Sequence, residues 1–453
     1  MEFMHFFYIY GSKYSYNLNR TMKFTYLLAA ALGFGTLFTN QLEAQSMLTP
    51  TESHVKKELL AGPFVSYIDN YSTRMWLMVP KGTETIKLHF EDFEEAREFD
   101  VFYNVGKAGQ YQKNKWHRIT SSYLLGEEVP VIVDVQNLQK DKEYNVSVYL
   151  DGDLVKEDFT VYMARAHKDD VFFLFGGNLD PFAKDLSILD KMEKTPNDFM
   201  LWGGSNLGKP DGHSFQALND HYKKARKVEE LNEFLQSTPQ IATWGQTEYS
   251  SDDLGASYAR KDSAIMAFNL FWPNIPRKVY NYTFDEFGTY GKYDYEDVDV
   301  FVLDDHIFRD TKEGTTKFGK VQKERFFKDL WSSNASFKVV VSNSTFFGDS
   351  ESNLKAFSED YDEFINRFHK GNFEGLVFLS MNDNGNSEFI EESRDGDYSL
   401  TELSMGGISN GTYSRVRIEG EVSNDTRKVI LEIYNEDGKV IKSKSILASE
   451  LRN

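Results

Sequence analysis

Val171-Phe172-Phe173-Leu174-Phe175-Gly176-Gly177 decides the fold of this chain. Five consecutive apolar residues that end at glycine are typical of a strand buried on both faces, as in a parallel sheet. A helical stretch follows at residues 183–194, and a second buried strand, Phe199 to Trp202, ends at Gly203-Gly204. Similar strands recur at residues 240–244, 298–303 and 376–379, with helices predicted at residues 320–330 and 361–370. Buried strands that alternate with helices predict an α/β layered domain over residues 170–453.

Strand patterns also fill the chain before this domain. Alternating runs such as Met75–Val79 and Val131–Val135 are broken by turn residues, and Tyr144–Leu150 leads into the turn Asp151-Gly152-Asp153. Strands at this spacing predict an all-β, fibronectin- or immunoglobulin-like sandwich over residues 46–165. The chain returns to β-structure after residue 415, and we expect this last segment to pack on the α/β domain.

The start of the chain has the pattern of a targeting signal. Lys23 supplies a positive n-region, residues 27–38 supply an apolar h-region, and Ala44 is a small residue at the cleavage point. We interpret residues 22–44 as a secretory signal peptide and residues 1–21 as a mis-assigned start. The h-region is shorter than the roughly 20 apolar residues of a transmembrane span. We therefore predict export to the periplasm, the cell surface or the medium, with no transmembrane span.

The charge and the amino-acid composition of the chain limit the partners that it could bind. The 453 residues carry a net charge of −19 and no cysteine. Such an excess of carboxylates disfavours nucleic acid or an anionic lipid surface as the main partner. Without disulfides, core packing alone must stabilise an exported fold.

The residues directly after the buried strands are candidates for the functional site, because ligands of open α/β sheets bind at the carboxyl ends of the strands. In this chain the strand ends read Gly176-Gly177-Asn178, Gly203-Gly204-Ser205-Asn206, Trp244-Gly245-Gln246-Thr247-Glu248-Tyr249, Leu303-Asp304-Asp305-His306 and Ser380-Met381-Asn382-Asp383-Asn384-Gly385.

The order and the flanking sequence of these segments resemble the alkaline phosphatase D family, the PhoD-like metallophosphoesterases. The resemblance covers about residues 62–434. It rests on Phe199–Asn206, which resembles the family's strand ending in Gly-Asp-Asn, and on four further segments in the same order: residues 241–249, 268–274, 301–309 and 379–388. It implies a metallophosphoesterase-like αββα sandwich. It also implies hydrolysis of phosphate mono- and diesters at a centre of calcium, iron or other divalent metals.

This chain departs from the family at nearly every metal-ligand position. Neutral or different residues stand at these positions: Asn178, Ser205, Gly245, Gln246, Thr247, His306, Asn382 and Asn384. Only Asn206, Glu248 and Asp253 retain a residue that could take a hard cation. Facing carboxylates repel one another unless a cation lies between them, and neutral side chains remove that repulsion. A site that has lost its metals would have this composition.

Two functions from different classes follow from these residues. The first is a pseudophosphatase without cofactor, which binds a neutral polar small molecule or a partner protein in a vestigial cleft. The second is a metal-dependent phosphatase or phosphodiesterase that assembles one metal from Asn206, Glu248, Asp253, Asp304 and His306.

The Asp304-Asp305-His306 segment could itself hold a metal. If the strand continues through these residues, Asp304 and His306 point to one face of the sheet and Asp305 points to the other. That geometry favours ordinary polar contacts at the strand end.

Tryptophans could form a carbohydrate-stacking surface, since a flat ring binds the face of a sugar. The positions of Trp202, Trp244, Trp272 and Trp331 within predicted strands and helices favour the core instead.

Overall fold

The computed structural model describes thirteen stretches of the chain: residues 56–68, 71–92, 94–95, 97–105, 126–163, 170–250, 255–274, 288–295, 297–310, 316–348, 352–394, 396–422 and 426–452. The predicted signal peptide, the predicted mis-assigned start and Asp253 lie outside these stretches.

The first seven described strands are antiparallel and form two sheets. They are β1 (Ala61–Ile68), β2 (Ser72–Pro80), β3 (Thr85–Asp92), β4 (Arg97–Asn104), β5 (Glu128–Gln136), β6 (Glu143–Leu150) and β7 (Asp153–Tyr162). One sheet has the order β1-β2-β5 and the other β4-β3-β6-β7. In β3, Ile86, Leu88 and Phe90 are buried while Lys87 and His89 are half-exposed, which is the alternation that a sheet covered on one face produces.

The rest of the described chain alternates strands with helices. Its strands are β8 (Val171–Gly176), β9 (Phe199–Trp202), β10 (Gln240–Ala242), β11 (Gly291–Tyr295), β12 (Val298–Val302), β13 (Phe337–Ser342), β14 (Leu376–Met381), β15 (Glu388–Glu392), β16 (Leu400–Met405), β17 (Thr412–Glu419), β18 (Lys428–Asn435) and β19 (Val440–Leu447). Its α-helices are α1 (Ser187–Glu193), α2 (Phe215–Arg226), α3 (Glu229–Ser237), α4 (Gln246–Tyr249), α5 (Lys261–Phe271), α6 (Lys320–Trp331) and α7 (Ser358–Gly371).

These strands form two six-stranded sheets. The first sheet has the order β10-β9-β8-β17-β18-β19 and the second β11-β12-β13-β14-β16-β15. Within them, β8 to β10 run parallel to one another, and so do β12, β13, β14 and β16. The C-terminal segment does more than pack on the domain, because β17 pairs with β8 inside the first sheet.

Both faces of the central strands of each sheet are buried, and this explains the apolar runs of the sequence. Phe173 and Phe175 of β8 lie in a core that also contains Val339 and Val341 of the second sheet. Leu174 lies in a different core, together with residues of α1, α2, α3 and α5. On the outer face of the second sheet, apolar residues of α6 and α7 form a third core. The predicted α/β sandwich is therefore confirmed.

The three-stranded N-terminal sheet packs directly against the first six-stranded sheet and its helices. Trp76 Nε1 donates to the carbonyl of Leu270 (2.9 Å), and Ser66 Oγ donates to the carbonyl of Gln240 (3.1 Å). Residues 55–453 form one compact unit. The predicted domain boundary falls in residues 164–169, which the structure does not describe, and it stays a prediction.

A buried arginine lies at this junction. The guanidinium carbon of Arg226 is 4.2 Å from the ring centre of Trp272, 5.5 Å from that of Phe64 and 5.8 Å from that of Trp76. Arg226 is 1 % exposed, and its Nη2 donates to the carbonyl of Phe271 (3.0 Å). Burial lowers the pKa of Arg226 to about 10. Cation–π attraction therefore compensates part of the cost of burying this charge.

The tryptophans divide into two groups. Trp202, Trp244 and Trp272 are buried, as predicted. Trp331 is 71 % exposed, so its predicted place in the core is wrong. The reason is its position at the end of α6, one residue past the inward-facing Leu330. None of the described helices combines the length and the apolar character that a membrane crossing requires.

Candidate functional site

The loops that follow the parallel strands of both sheets meet at one edge. The backbone N–H of Asn178 donates to the carbonyl of Gly204 (2.9 Å). Asn343 follows β13, and its Nδ2 donates to the carbonyl of Gly203 (2.8 Å), which joins the two sheets. We call the residues at this edge the strand-tip cluster: Asn178, Ser205, Asn206, Gly245, Thr247, Glu248, Asp304, Asp305, His306 and Asn343.

The carboxylate of Glu248 binds the backbone of two neighbouring loops. Its oxygens accept from the N–H groups of Ser205 (3.0 Å), Asn206 (2.5 Å) and Gly245 (2.9 Å), and from the hydroxyl of Thr247 (3.1 Å). Glu248 is 1 % exposed, and burial raises its pKa while the hydrogen bonds lower it. Three of these donors meet Oε2 and one meets Oε1, and the carboxylate thereby holds the loops after β9 and β10 together.

The carboxylate of Asp304 has a similar environment in the second sheet. It accepts from the N–H groups of His306 (2.9 Å), Ile307 (3.0 Å) and Thr289 (2.8 Å), and from the hydroxyl of Thr289 (3.3 Å). The side chain is fully buried, and burial raises its pKa. Asp304 thus stabilises the turn that follows β12.

That turn explains a difference from the predicted geometry. Strand β12 ends at Val302, so the alternation of side chains does not continue through residues 304–306. As a result, Asp305 and His306 lie close together, with Oδ1 and Nε2 3.5 Å apart, instead of on opposite faces.

Both ring nitrogens of His306 already have partners. Nε2 lies 3.1 Å from Oδ1 of Asn343, and Nδ1 lies 3.4 Å from Nη2 of Arg309. The amide of Asn343 donates elsewhere through Nδ2, and a guanidinium can only donate. The network therefore fits the neutral ring with its proton on Nε2. In that state neither nitrogen offers a lone pair to a metal.

Asp305 faces a buried lysine. Its Oδ2 accepts from the backbone N–H of Ser344 (2.8 Å) and from the hydroxyls of Ser344 and Ser342. The Nζ of Lys317 lies 4.0 Å from the same oxygen and donates to the carbonyls of Thr345 (3.1 Å) and Ser352 (2.9 Å). Burial lowers the pKa of Lys317 to about 8.

Gly245 leaves no space for a larger side chain. A Cβ built at this position would overlap the hydroxyl and the backbone nitrogen of Ser205 and would lie 2.8 Å from Nδ2 of Asn343. The resemblance places an aspartate of the family here. In this chain the neighbouring loops occupy that volume.

The other predicted residues are used within their own loops. Oδ1 of Asn382 accepts from the N–H of Asn384 (3.1 Å), and Oδ1 of Asn384 accepts from the N–H of Asn386 (2.9 Å). Nε2 of Gln246 donates to the carbonyl of Ser250 (3.2 Å) at the end of α4. Among the described residues, none of these hydrogen bonds joins the three side chains to Glu248 or His306.

Two members of the strand-tip cluster have buried side-chain atoms without a hydrogen-bond partner among the described residues: Oδ1 of Asp305 and the amide of Asn206. The side chain of Asn206 is 4 % exposed, and neither its Oδ1 nor its Nδ2 has such a partner in the described part of the chain. Burying an amide without partners costs about 1–3 kcal/mol per unsatisfied group. A primary amide that both donates and accepts fits a neutral polar ligand or ordered water.

Sequence reasoning did not identify three residues of this edge: Asn343, Arg309 and Lys317. Asn343 follows β13, a strand that the prediction missed although Val339-Val340-Val341 is an apolar run ending at polar residues. Recognising that strand would have pointed to Asn343 at its carboxyl end.

These residues do not fit the divalent metals that the fold implies. Hydrolytic metal centres need several carboxylate or imidazole lone pairs that converge on one point. Here Glu248, Asp304 and His306 direct theirs to N–H donors of the protein. In the described part of the chain, no group of three or more histidine, aspartate or glutamate side chains is placed to hold a metal ion.

Comparison with solved structures identifies the fold. The chain is similar to a structure described as PhoD, with a TM-score of 0.62 and 13 % identity, over 85 % of this chain and 92 % of that chain. It is also similar to purple acid phosphatase PPD1 from yellow lupin (Lupinus luteus) seeds, with a TM-score of 0.58 and 10 % identity, over 85 % and 74 % of the two chains. No protein-family model and no curated protein matches the chain. The chain therefore has the fold of the PhoD-like metallophosphoesterases.

Proposed function

We propose that this phosphatase-fold protein is a binding protein that has lost metal-dependent hydrolysis. One observation carries the proposal: the carboxylates of Glu248 and Asp304 and the ring of His306 are already engaged by hydrogen bonds from the protein itself. A phosphatase of this fold needs such groups as metal ligands, because the metal polarises the phosphoryl oxygens and generates the attacking hydroxide.

The proposed ligand is a neutral polar molecule or a loop of a partner protein. The buried amide of Asn206 supplies an NH2 donor group and an oxygen acceptor that have no partner among the described residues. A phosphate ester would instead need positive charge to offset its own. The backbone N–H of Asn206 contacts the buried carboxylate of Glu248, so an anionic ligand is disfavoured at Asn206.

The proposal also covers the signal-like segment and the N-terminal strands. Residues 22–44 would direct export, in line with their charge and hydropathy pattern. The seven N-terminal strands, arranged as sheets of three and four, support a fibronectin- or immunoglobulin-like sandwich.

The test measures metal content and hydrolysis on the same purified full-length protein. We expect substoichiometric calcium, iron, manganese and zinc by plasma mass spectrometry. We also expect no turnover of bis(p-nitrophenyl) phosphate with each metal added. Stoichiometric metal together with turnover that His306→Ala abolishes would overturn the proposal in favour of a working phosphodiesterase. His369→Ala, on the exposed side of α7, is the matched control.

Binding at Asn206 is tested separately by thermal unfolding. N-acetyl dipeptide amides and myo-inositol serve as neutral probes, and we expect at least one to raise the melting temperature of the wild-type protein. Asn206→Ala should lose the increase, while Asn366→Ala, an exposed asparagine of α7, should retain it. An increase of the same size in Asn206→Ala would contradict the proposed site.

A further inference from the structure

A groove lies at the opposite edge of the second six-stranded sheet. It has a volume of about 410 Å³ and is formed by the ends of α6 and α7 and by the residues just before β13 and β14. Its lining includes Trp331, Asn334, Ser336, Asn372, Phe373 and Glu374. The volume falls at the low end of the roughly 300–1,000 Å³ that is usual for small-molecule sites. We call this feature the Trp331 groove.

Trp331 presents an aromatic face to solvent at the rim of this groove. Its indole is 71 % exposed. The ring of Phe373, which is 8 % exposed, lies edge-on to it, with centroids 5.8 Å apart and planes at 88°. Phe373 in turn contacts Phe327 and Phe368 of the third core, with centroids 6.4 Å apart in both pairs. A buried ring therefore fixes the orientation of the exposed one.

Two cations, Lys338 and Arg452, and one carboxylate, Glu374, line the groove. Nζ of Lys338 donates to the carbonyls of Ala335 (2.6 Å) and Glu374 (3.1 Å), and burial lowers its pKa. Nε of Arg452 lies 3.7 Å from Oε2 of Glu374. The exposed amide of Asn334 and the half-buried Ser336 add neutral donors and acceptors to the same lining. Because Arg452 is paired with Glu374 and the amine of Lys338 is bound to backbone carbonyls, the groups left for a ligand are mainly neutral ones.

We propose that the Trp331 groove binds a neutral saccharide of one or two pyranose rings. The electron-rich face of an indole attracts the polarised C–H bonds on one face of a pyranose, and neutral side chains hydrogen-bond its hydroxyls. The net charge of −19 disfavours a nucleobase of RNA or DNA as the stacking partner. This inference is independent of the proposed function, because the groove and the strand-tip cluster lie at opposite ends of the parallel strands.

The test uses the full-length protein and a defined panel of neutral sugars: methyl glucoside, methyl galactoside, maltose, cellobiose and N,N′-diacetylchitobiose. Saturation-transfer NMR should detect binding of at least one of them, and titration calorimetry should give its affinity. Trp331→Ala should weaken that affinity by about tenfold or more, whereas Trp331→Phe should retain part of it.

The matched control is Phe102→Ala on β4. Phe102 is 69 % exposed but lies on the four-stranded N-terminal sheet, so its loss should leave the affinity unchanged. Circular dichroism of each variant verifies folding. The proposal is overturned if no sugar of the panel binds, or if Trp331→Ala binds as tightly as the wild-type protein.

Discussion

Charged side chains lie at both ends of the parallel strands, but the strand-tip cluster is closed by contacts between loops, whereas the Trp331 groove is open to solvent. At the strand-tip cluster, buried carboxylates accept hydrogen bonds from loop N–H groups, and the loops contact one another where a metal centre would need space. At the Trp331 groove, Arg452 pairs with Glu374, Lys338 donates to backbone carbonyls, and Trp331 stays exposed. A charged residue at a strand tip therefore does not indicate catalysis by itself. The partners of its lone pairs decide what it does.

Glu248→Ala, at the strand-tip cluster, should lower the stability of the protein more than any change at the Trp331 groove. Glu248→Ala removes the acceptor of three backbone N–H groups in a buried position. We expect the free energy of unfolding to fall by about 3 kcal/mol or more. Urea denaturation followed by circular dichroism measures it. Glu233→Ala, at an exposed position of α3, should change it by less than about 0.5 kcal/mol. If Glu248→Ala kept its stability and lost a bound metal, Glu248 would be a metal ligand and the comparison would fail.

Gly245→Asp restores the residue type that the resemblance places at this position. The new side chain would overlap Ser205, so we expect a loss of about 1–3 kcal/mol in unfolding free energy from overpacking and no gain of metal. Gly212→Asp is the control, because the nearest atom to a Cβ at Gly212 is 3.7 Å away. Recovery of phosphodiesterase activity by Gly245→Asp alone would show that the strand tips remain ready for catalysis.

Lys317 should make stability depend on pH in the alkaline range. Burial lowers its pKa from 10.5 to about 8 in the folded chain. Between these values the unfolded chain binds a proton that the folded chain has released, so stability rises with pH. Lys317→Met should remove this rise between about pH 8 and 10.5, as measured by melting temperature. Lys338→Met, at the less deeply buried lysine of the groove, should change the slope less. An unchanged pH profile in Lys317→Met would contradict this account.

The smallest effect on stability is expected from Trp331→Ala. An exposed indole contributes little to the core, so the free energy of unfolding should fall by less than about 1 kcal/mol. Trp244→Ala removes a fully buried indole at the other end and should cost about 3–5 kcal/mol. Thermal and urea unfolding measure both variants. If Trp331→Ala lost as much stability as Trp244→Ala, Trp331 would belong to the core and the groove would not be a binding surface.

The sequence predicted the layered fold well because burial on both faces leaves a continuous apolar run. Strands β8, β9 and β12 show such runs, and they stand close to their predicted places. Strand β13 was missed because Lys338 interrupts its apolar run near the start. Its amine reaches the carbonyls of Ala335 and Glu374, which is a tertiary contact that no local pattern reveals.

The sequence predicted that the strand-end residues lie close together, but it did not predict their hydrogen-bond partners. Ser205, Asn206, Gly245 and Glu248 do lie together, because parallel strands end at one edge. The partners of Glu248 could not be predicted, since they are N–H groups of loops up to 43 residues away in sequence. The geometry of Asp305 and His306 depended on where β12 ends, and hydrophobic periodicity does not determine strand ends to within one residue.

Arg226 has a consequence for how this protein can evolve. Its guanidinium is surrounded by Phe64 and Trp76 from the N-terminal strands and by Trp272 from the α/β part. A gene that recombined between these parts would join an arginine to a surface without matching rings, and a desolvated charge would be left uncompensated. The two halves are therefore expected to be inherited as a pair. If the N-terminal strands were transferred to another scaffold, that scaffold would need to supply a cation in place of Arg226.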